Sequence, residues 1–153
     1  MTREQALLEF REKMGGIEFM LGHGTCLGAY RDMALIEDDH DLDIWLFDGD
    51  IRKIKEIFKC KARRMVWKLN QYTMIIYGHR FDIVLWEKKG NEYHLYFTDR
   101  GPDVLPERLA ETKPFVFLGE EFLIPKHTEE YLEYYYDKDW RTPKKGRPAN
   151  IMK

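Results

Sequence analysis

Cysteine is scarce in this chain. The 153 residues include only Cys26 and Cys60, which show no metal-ligand spacing and no disulfide framework, so a disulfide-stapled scaffold and a cysteine-based metal site are both excluded. Long apolar runs are also missing. None approaches the roughly 18 residues needed to span a bilayer, and the opening Met1-Thr2-Arg3-Glu4-Gln5 has no apolar core of a signal peptide. There is no excess of positive charge either: the formal net charge is -2, which argues against a general nucleic-acid binder. Internal repeats and low-complexity stretches are absent. These absences leave a reduced, cytoplasmic protein with no membrane span and no nucleic-acid partner as the expectation. What is present fits that picture, with 44% apolar and 34% charged residues, ordinary for a globular protein and enough chain for one well-filled core.

Apolar Ala6, Leu7, Phe10 and Met14 recur at helical spacing, which predicts a helix over 3–14 ended by Gly15-Gly16. Residues 17–21 read as a buried strand leading into Gly22-His23-Gly24-Thr25, and Thr25 is placed to cap a short helix through Arg31. An acidic loop over 32–40 precedes a strand over 41–47, and Asp50 opens a helix whose apolar face is Ile51, Ile54, Ile57 and Phe58. Strands are expected over 63–69, 72–78, 80–86 and 91–98, then a loop over 99–112 with one helical turn. A hairpin over 113–118 and 121–124 turns at Gly119, and a Tyr- and Glu-rich helix covers 128–136. This order predicts an α+β fold with a central mixed sheet flanked by helices. Residues 1–136 would form the catalytic domain, and 137–153 a tail packed on the surface or partly disordered.

The most informative stretch is Gly24-Thr25-Cys26-Leu27-Gly28-Ala29-Tyr30-Arg31, followed ten residues later by Asp41-Leu42-Asp43-Ile44. Two acids two residues apart on a strand point to one face. Such a pair suits a divalent metal and the phosphate chain it carries, and a small Gly-Thr turn lets backbone N–H groups approach phosphate oxygens. That is the working end of a nucleotidyltransferase-type site. Asp82 is the best third acid, because it opens the apolar strand Asp82-Ile83-Val84-Leu85-Trp86; the plainer alternative is that it caps a turn after Gly78-His79-Arg80. At about 4 Å and an effective dielectric of about 20, each pair of like charges costs roughly 4 kcal/mol. A bound Mg²⁺ or Mn²⁺ removes that cost, and all-oxygen ligation suits those ions. Asp39, two residues before Asp41, is placed to join directly or through water, whereas Glu37 and Asp38 read as solvated loop.

Taken together these residues resemble the LicD/fukutin family. Gly24 through Arg31, the run Asp38-Asp39-His40-Asp41-Leu42-Asp43-Ile44, Phe81-Asp82-Ile83, and at the far end Pro125, Tyr131-Leu132, Tyr135, Asp139-Trp140 and Pro143 look like its motifs. Two departures stand out: Asp38 replaces the family's Trp, and His40 sits at the central position of the acidic run. The resemblance implies a minimal nucleotidyltransferase fold. It also implies transfer of a phosphorylated alcohol, such as phosphocholine, from a CDP-alcohol to a hydroxyl of a glycan or related acceptor. Asp41, Asp43 and Asp82 would then be catalytic and hold Mg²⁺ or Mn²⁺, with Asp39 assisting, and Asp82 would deprotonate the acceptor. Gly24 and Thr25 would touch phosphate, with Arg31 steadying the fold or the anion. His23 stands close enough to meet a phosphate. Two rivals remain at this stage: transfer of a nucleoside monophosphate from an NTP to a small molecule or protein, and a non-catalytic binding module of the same fold. Trp45, Phe47, Trp67 and Trp86 read as core, Trp140 as an anchor for the tail, and Lys144, Lys145 and Arg147 as solvated tail.

Overall fold

Helix α1 (Arg3–Met14) forms because Thr2 and Gln5 cap it reciprocally and Ala6, Leu7, Phe10 and Met14 give it one buried face. The computed structural model describes residues 1–144. After α1 come β1 (Met20–Leu21), α2 (His23–Asp32), β2 (Asp41–Phe47), α3 (Ile51–Phe58), β3 (Arg63–Arg64), β4 (Gln71–Ile76) and β5 (His79–Lys89). They are followed by β6 (Glu92–Leu95), β7 (Asp103–Pro106), α4 (Glu107–Ala110), β8 (Thr112–Phe117), β9 (Glu120–Pro125) and α5 (Thr128–Tyr136). The sheet runs β3-β4-β5-β2-β1-β9-β8, and β6 and β7 extend the far end of β5. β2 and β5 pair in parallel, β4 and β5 antiparallel, so the sheet is mixed. The α+β class and single small domain expected from the sequence are what the chain forms.

The two faces of the central strands differ in chemistry. Leu42, Phe81 and Met74 lie side by side on one face, where the Phe10 ring stacks 4.8 Å from Phe81 and 4.9 Å from Phe58, so α1 and α3 cover it. The other face carries Asp41, Asp43 and Trp45 of β2 and Arg80, Asp82, Val84 and Trp86 of β5, by strand alternation. Only its inner half is closed: Trp45 packs against Trp86, Tyr131 and Tyr135 at 5.0, 5.5 and 5.7 Å between ring centroids. The acids therefore sit where the aromatic packing under α5 gives out.

Several local expectations are corrected. The 17–21 strand shrinks to β1, and the 63–69 strand to β3. Met65 to Asn70 instead form a pinned loop in which Met65 N–H donates to Gln71 O, Leu69 N–H to Tyr96 O and Thr98 N–H to Trp67 O. Trp67 is accordingly a surface residue, 63% exposed, not core. The 99–112 segment holds β7 as well as the helical turn α4. Trp140 is buried beside Tyr30, whereas Lys145 and Arg147 lie outside the described residues. Among the described residues no helix is long and apolar enough to cross a membrane.

Candidate active site

Strand register builds the acidic site. Asp43 of β2 stands opposite Asp82 of β5, and Asp41 opposite Arg80. Continuing outward, Asp82 pairs with Thr73 of β4, and Thr73 with Arg63 of β3. On the inner side the Gly22 N–H donates to Asp43 O at 3.0 Å. One row across a single face thus reads Gly22, Asp43, Asp82, Thr73, Arg63. The Asp43 N–H donates to Thr25 Oγ1 at 2.8 Å, which fixes the backbone of this acid against the first turn of α2. Thr25 is not the helix cap expected from the sequence. Gly22 occupies that position, and the Thr25 hydroxyl is an acceptor for Asp43.

The charges are crowded and only partly answered. Asp43 and Asp82 are each 5% exposed, and Asp39 is buried as well. Asp39 Oδ1 accepts from the Asp41 N–H at 3.3 Å. Arg80 Nε lies 3.0 Å from Asp82 Oδ1 and 3.4 Å from Asp41 Oδ1, and the Thr73 hydroxyl donates to Asp82 Oδ1 at 2.9 Å. Among the described residues Asp43 Oδ2 is enclosed with no hydrogen-bond partner. Burial pushes Asp43 well above the usual carboxylate range, helped by the charges of Asp39, Asp82 and Asp41. Asp41 is pushed up to about 6 by burial and then by Asp82, with Arg80 pulling the other way. Burial raises Asp39 too.

Asp41, Asp43, Asp82 and Asp39 are therefore brought together, with Thr25 in contact and Gly24 adjacent on α2. The remaining predicted site residues stand elsewhere or act differently. The His23 ring is buried between Trp45 and Tyr135, and burial, then the charge of Lys68, lowers it to about 3. It is neutral at physiological pH and offers a phosphate no charge. The His23 backbone N–H donates to the Tyr131 hydroxyl at 2.9 Å. Arg31 points to Asp32 and to the Trp140 carbonyl, so it ties the two ends of the chain together outside the acid cluster. His40 is exposed. Sequence reasoning missed Arg80, Thr73 and Tyr136. The Tyr136 hydroxyl is enclosed without a partner among the described residues, and it is pushed up by burial and then by the charge of Asp43. The period-two rule that linked Asp41 to Asp43 also links Arg80 to Asp82, and that signal was readable.

Among the described residues no three His, Cys, Asp or Glu side chains stand as a ready-made metal cage, and Asp82 is engaged by Arg80 and Thr73. The donor set nevertheless fits Mg²⁺ or Mn²⁺: it is all oxygen, and Asp43 Oδ2 is enclosed and bare. Asp41 and Asp43, with Asp39 behind them, are the residues that would hold such an ion.

A pH consequence follows from Asp41. A carboxyl raised from its ordinary value of 3.8 to about 6 carries no penalty where it is protonated in both states. The folded state loses stability relative to the unfolded chain as pH rises through that interval. Asp41→Asn should therefore gain stability over the wild type between about pH 4 and pH 6.5 and then hold a constant advantage, both without metal, as read from urea unfolding at each pH. A difference that stays constant through that interval would contradict the assignment.

The fold is that of the nucleotidyltransferases. The solution structure of the antibiotic-resistance factor ANT(2'')-Ia matches with a TM-score of 0.63 at 12% identity, covering 97% of this chain and 78% of that one. A crystal structure of ANT(2'')-Ia with adenylyl-2''-tobramycin matches at 0.60 and 13% identity, over 97% of this chain and 82% of that one. The lincomycin-bound lincosamide antibiotic adenylyltransferase LnuA gives 0.60 at 13% identity, covering 88% and 85%. The chain belongs to the LicD/FKTN/FKRP nucleotidyltransferase-domain family, whose model matches residues 16–135. That span holds the whole acidic row and α2, while Asp139, Trp140 and Pro143 lie beyond it. No curated protein matches the chain in sequence. Family and fold together support a transferase.

Proposed function

We propose that the protein is a metal-dependent transferase that moves a phosphorylated alcohol from a CDP-alcohol to a hydroxyl of a glycan or related acceptor. The observation that carries this reading is the parallel pairing of Asp43 with Asp82, which sets a bare, buried carboxylate oxygen beside a second acid open to the outer strands. Asp41 and Asp43, with Asp39 behind them, would hold Mg²⁺ or Mn²⁺. The ion would neutralise the diphosphate and the charge developing on the transferred phosphoryl group. The Gly24 amide, in the first turn of α2 where no intrahelical acceptor exists, would bind phosphate oxygen, beside the Thr25 amide that faces Asp43. Asp82 would take the proton of the acceptor hydroxyl as its oxygen bonds to phosphorus and the bond to CMP breaks, with Thr73 orienting the carboxylate. Arg80 balances Asp41 and Asp82 until the substrate complex forms.

A second reading is favoured by a specific observation: the matched structures include an adenylyltransferase and an adenylylated product complex. Transfer of a nucleoside monophosphate from an NTP would use the same acids. The leaving group separates the two, CMP in one case and pyrophosphate in the other.

The test is a thermal-shift screen of CDP-choline, CDP-ribitol, CDP-glycerol, CTP and ATP, each with and without Mg²⁺ or Mn²⁺. A ligand at about 100 times its dissociation constant adds roughly 2.7 kcal/mol. Metal-dependent stabilisation by one CDP-alcohol, lost in Asp41→Asn, is the expected result. Stabilisation by an NTP alone selects the second reading, and none at all would point to a non-catalytic module.

A further inference from the structure

The acid-bearing face does not end at Asp82. Beyond it the row continues through Thr73 to Arg63, and the Thr73 hydroxyl that donates to Asp82 also reaches Met65 Sδ at 3.3 Å. Met65 opens the 65–69 loop, where Val66 is 72% and Trp67 63% exposed, with Leu69 exposed beside them. Exposure of this kind is unusual for an indole, and fraying does not explain it. The loop is held by the backbone bonds of Met65, Lys68, Leu69 and Thr98, and Asn70 donates to Leu85 O and His94 O while accepting from the Tyr96 N–H. The rim is cationic: Arg63 shares the face of Thr73 and Asp82 while Arg64 points to the other side, and Lys68 and Arg100 lie 5.8 and 3.9 Å from the Phe97 ring centroid. Among the described residues Arg63 and Arg64 have no ion pair.

We propose that this lip, Met65, Val66 and Trp67 with Arg63 at its foot, is the acceptor subsite, and that it takes a hydroxyl-bearing ring of the sugar type carrying an anionic substituent. The inference rests on the transferase reading given above. In that reading phosphate binds at Gly24, on the inner side of Asp43, and the proton acceptor is Asp82. The lip lies on the outer side of Asp82, so its occupant presents a hydroxyl to that acid. Two strand spacings separate Asp82 from Arg63, about 10 Å, which one six-membered ring and its substituent can bridge. A flat, exposed indole on a pinned backbone receives the apolar face of such a ring, and a guanidinium with no ion pair among the described residues receives a phosphate or carboxylate. The donor's base belongs at the other end of the row.

The test uses glucose 6-phosphate as probe, with glucose and CMP as comparisons, on the full chain without metal. Trp45, Trp86 and Trp140 are buried, so iodide-quenchable fluorescence reports mainly on Trp67. Glucose 6-phosphate should protect Trp67 from iodide. By calorimetry it should bind about tenfold more weakly to Trp67→Ala, and Arg63→Gln should abolish its advantage over glucose. Unchanged affinity in Trp67→Ala, or no binding of the probe, overturns the proposal. So does protection by CMP alone, which would give the lip to the donor. Val116→Ser, on the exposed edge strand β8 at the opposite end of the sheet, should bind the probe like wild type. If the wild-type protein binds the probe while no nucleotide stabilises it, the transferase reading fails and the sugar-anion site stands as a binding site.

Discussion

Asp43→Asn is expected to raise the stability of the metal-free protein while cutting metal-dependent turnover by at least about a thousandfold. The two effects have one cause. Asp43 is 5% exposed, its Oδ2 is enclosed without a partner among the described residues, and three other carboxylates act on it. The Thr25 amide draws its proton affinity back down, but less strongly than burial raises it. An amide of the same shape removes the buried charge and keeps the backbone bonds to Thr25 and Gly22. A gain of about 0.5–2 kcal/mol is the usual size for relieving an uncompensated charge at a functional site, or roughly 1–8 °C in melting temperature for a chain of this size. The same amide is a poor ligand for Mg²⁺, so adding metal and nucleotide should stabilise the wild type and leave the variant unmoved. Urea unfolding in EDTA and in Mg²⁺ with the active nucleotide reads both effects. A variant less stable than wild type in EDTA would mean that the Asp43 charge is compensated and that its bare oxygen is not a metal position.

What the sequence made legible was mostly local. Asp50 was read as a helix start, and its carboxylate does accept from the Arg52 N–H. The alternation in Asp41-x-Asp43 placed two acids on one face, and β2 runs over the expected residues. Its place at the head of an apolar strand singled out Asp82 before the resemblance did, but the reason it matters is the parallel register with Asp43, which no local pattern encodes. Thr25 shows the same limit. Its composition and position suit a cap, yet its hydroxyl serves a strand 18 residues further on. Trp67 was misread because Met65-Val66-Trp67 looks like a strand core, whereas backbone bonds to Gln71 at the start of β4 and to Tyr96 just past β6 hold that segment as a loop. Tyr136 was lost among four tyrosines of one helix, since only packing decides which hydroxyl lies near the acids.

Gly22→Ala should be among the most damaging single substitutions in the chain, through space rather than backbone conformation. Gly22 has φ −113°, which alanine adopts freely. A Cβ there, however, would fall inside van der Waals contact with three atoms of the Trp45 indole. Neither side can yield easily. The Gly22 backbone is held from both directions, its N–H on Asp43 O and its C=O accepting the Cys26 N–H, each at 3.0 Å. The indole is enclosed by the rings of His23, Trp86, Tyr131 and Tyr135. Overpacking of this kind costs about 3 kcal/mol or more, lowering the melting temperature by roughly 6–12 °C. It should also weaken metal-dependent stabilisation, because the backbone that retreats is the one that fixes Asp43. Trp45→Leu supplies the control. Alone it leaves a cavity and is itself destabilising by about 2–4 kcal/mol, but it removes the atoms the new methyl meets. The double variant should then be more stable than the sum of the two losses by about 1 kcal/mol or more. Strict additivity would show that the alanine acts on the first turn of α2 and not on the indole, and the tight seat of Asp43 would need another explanation.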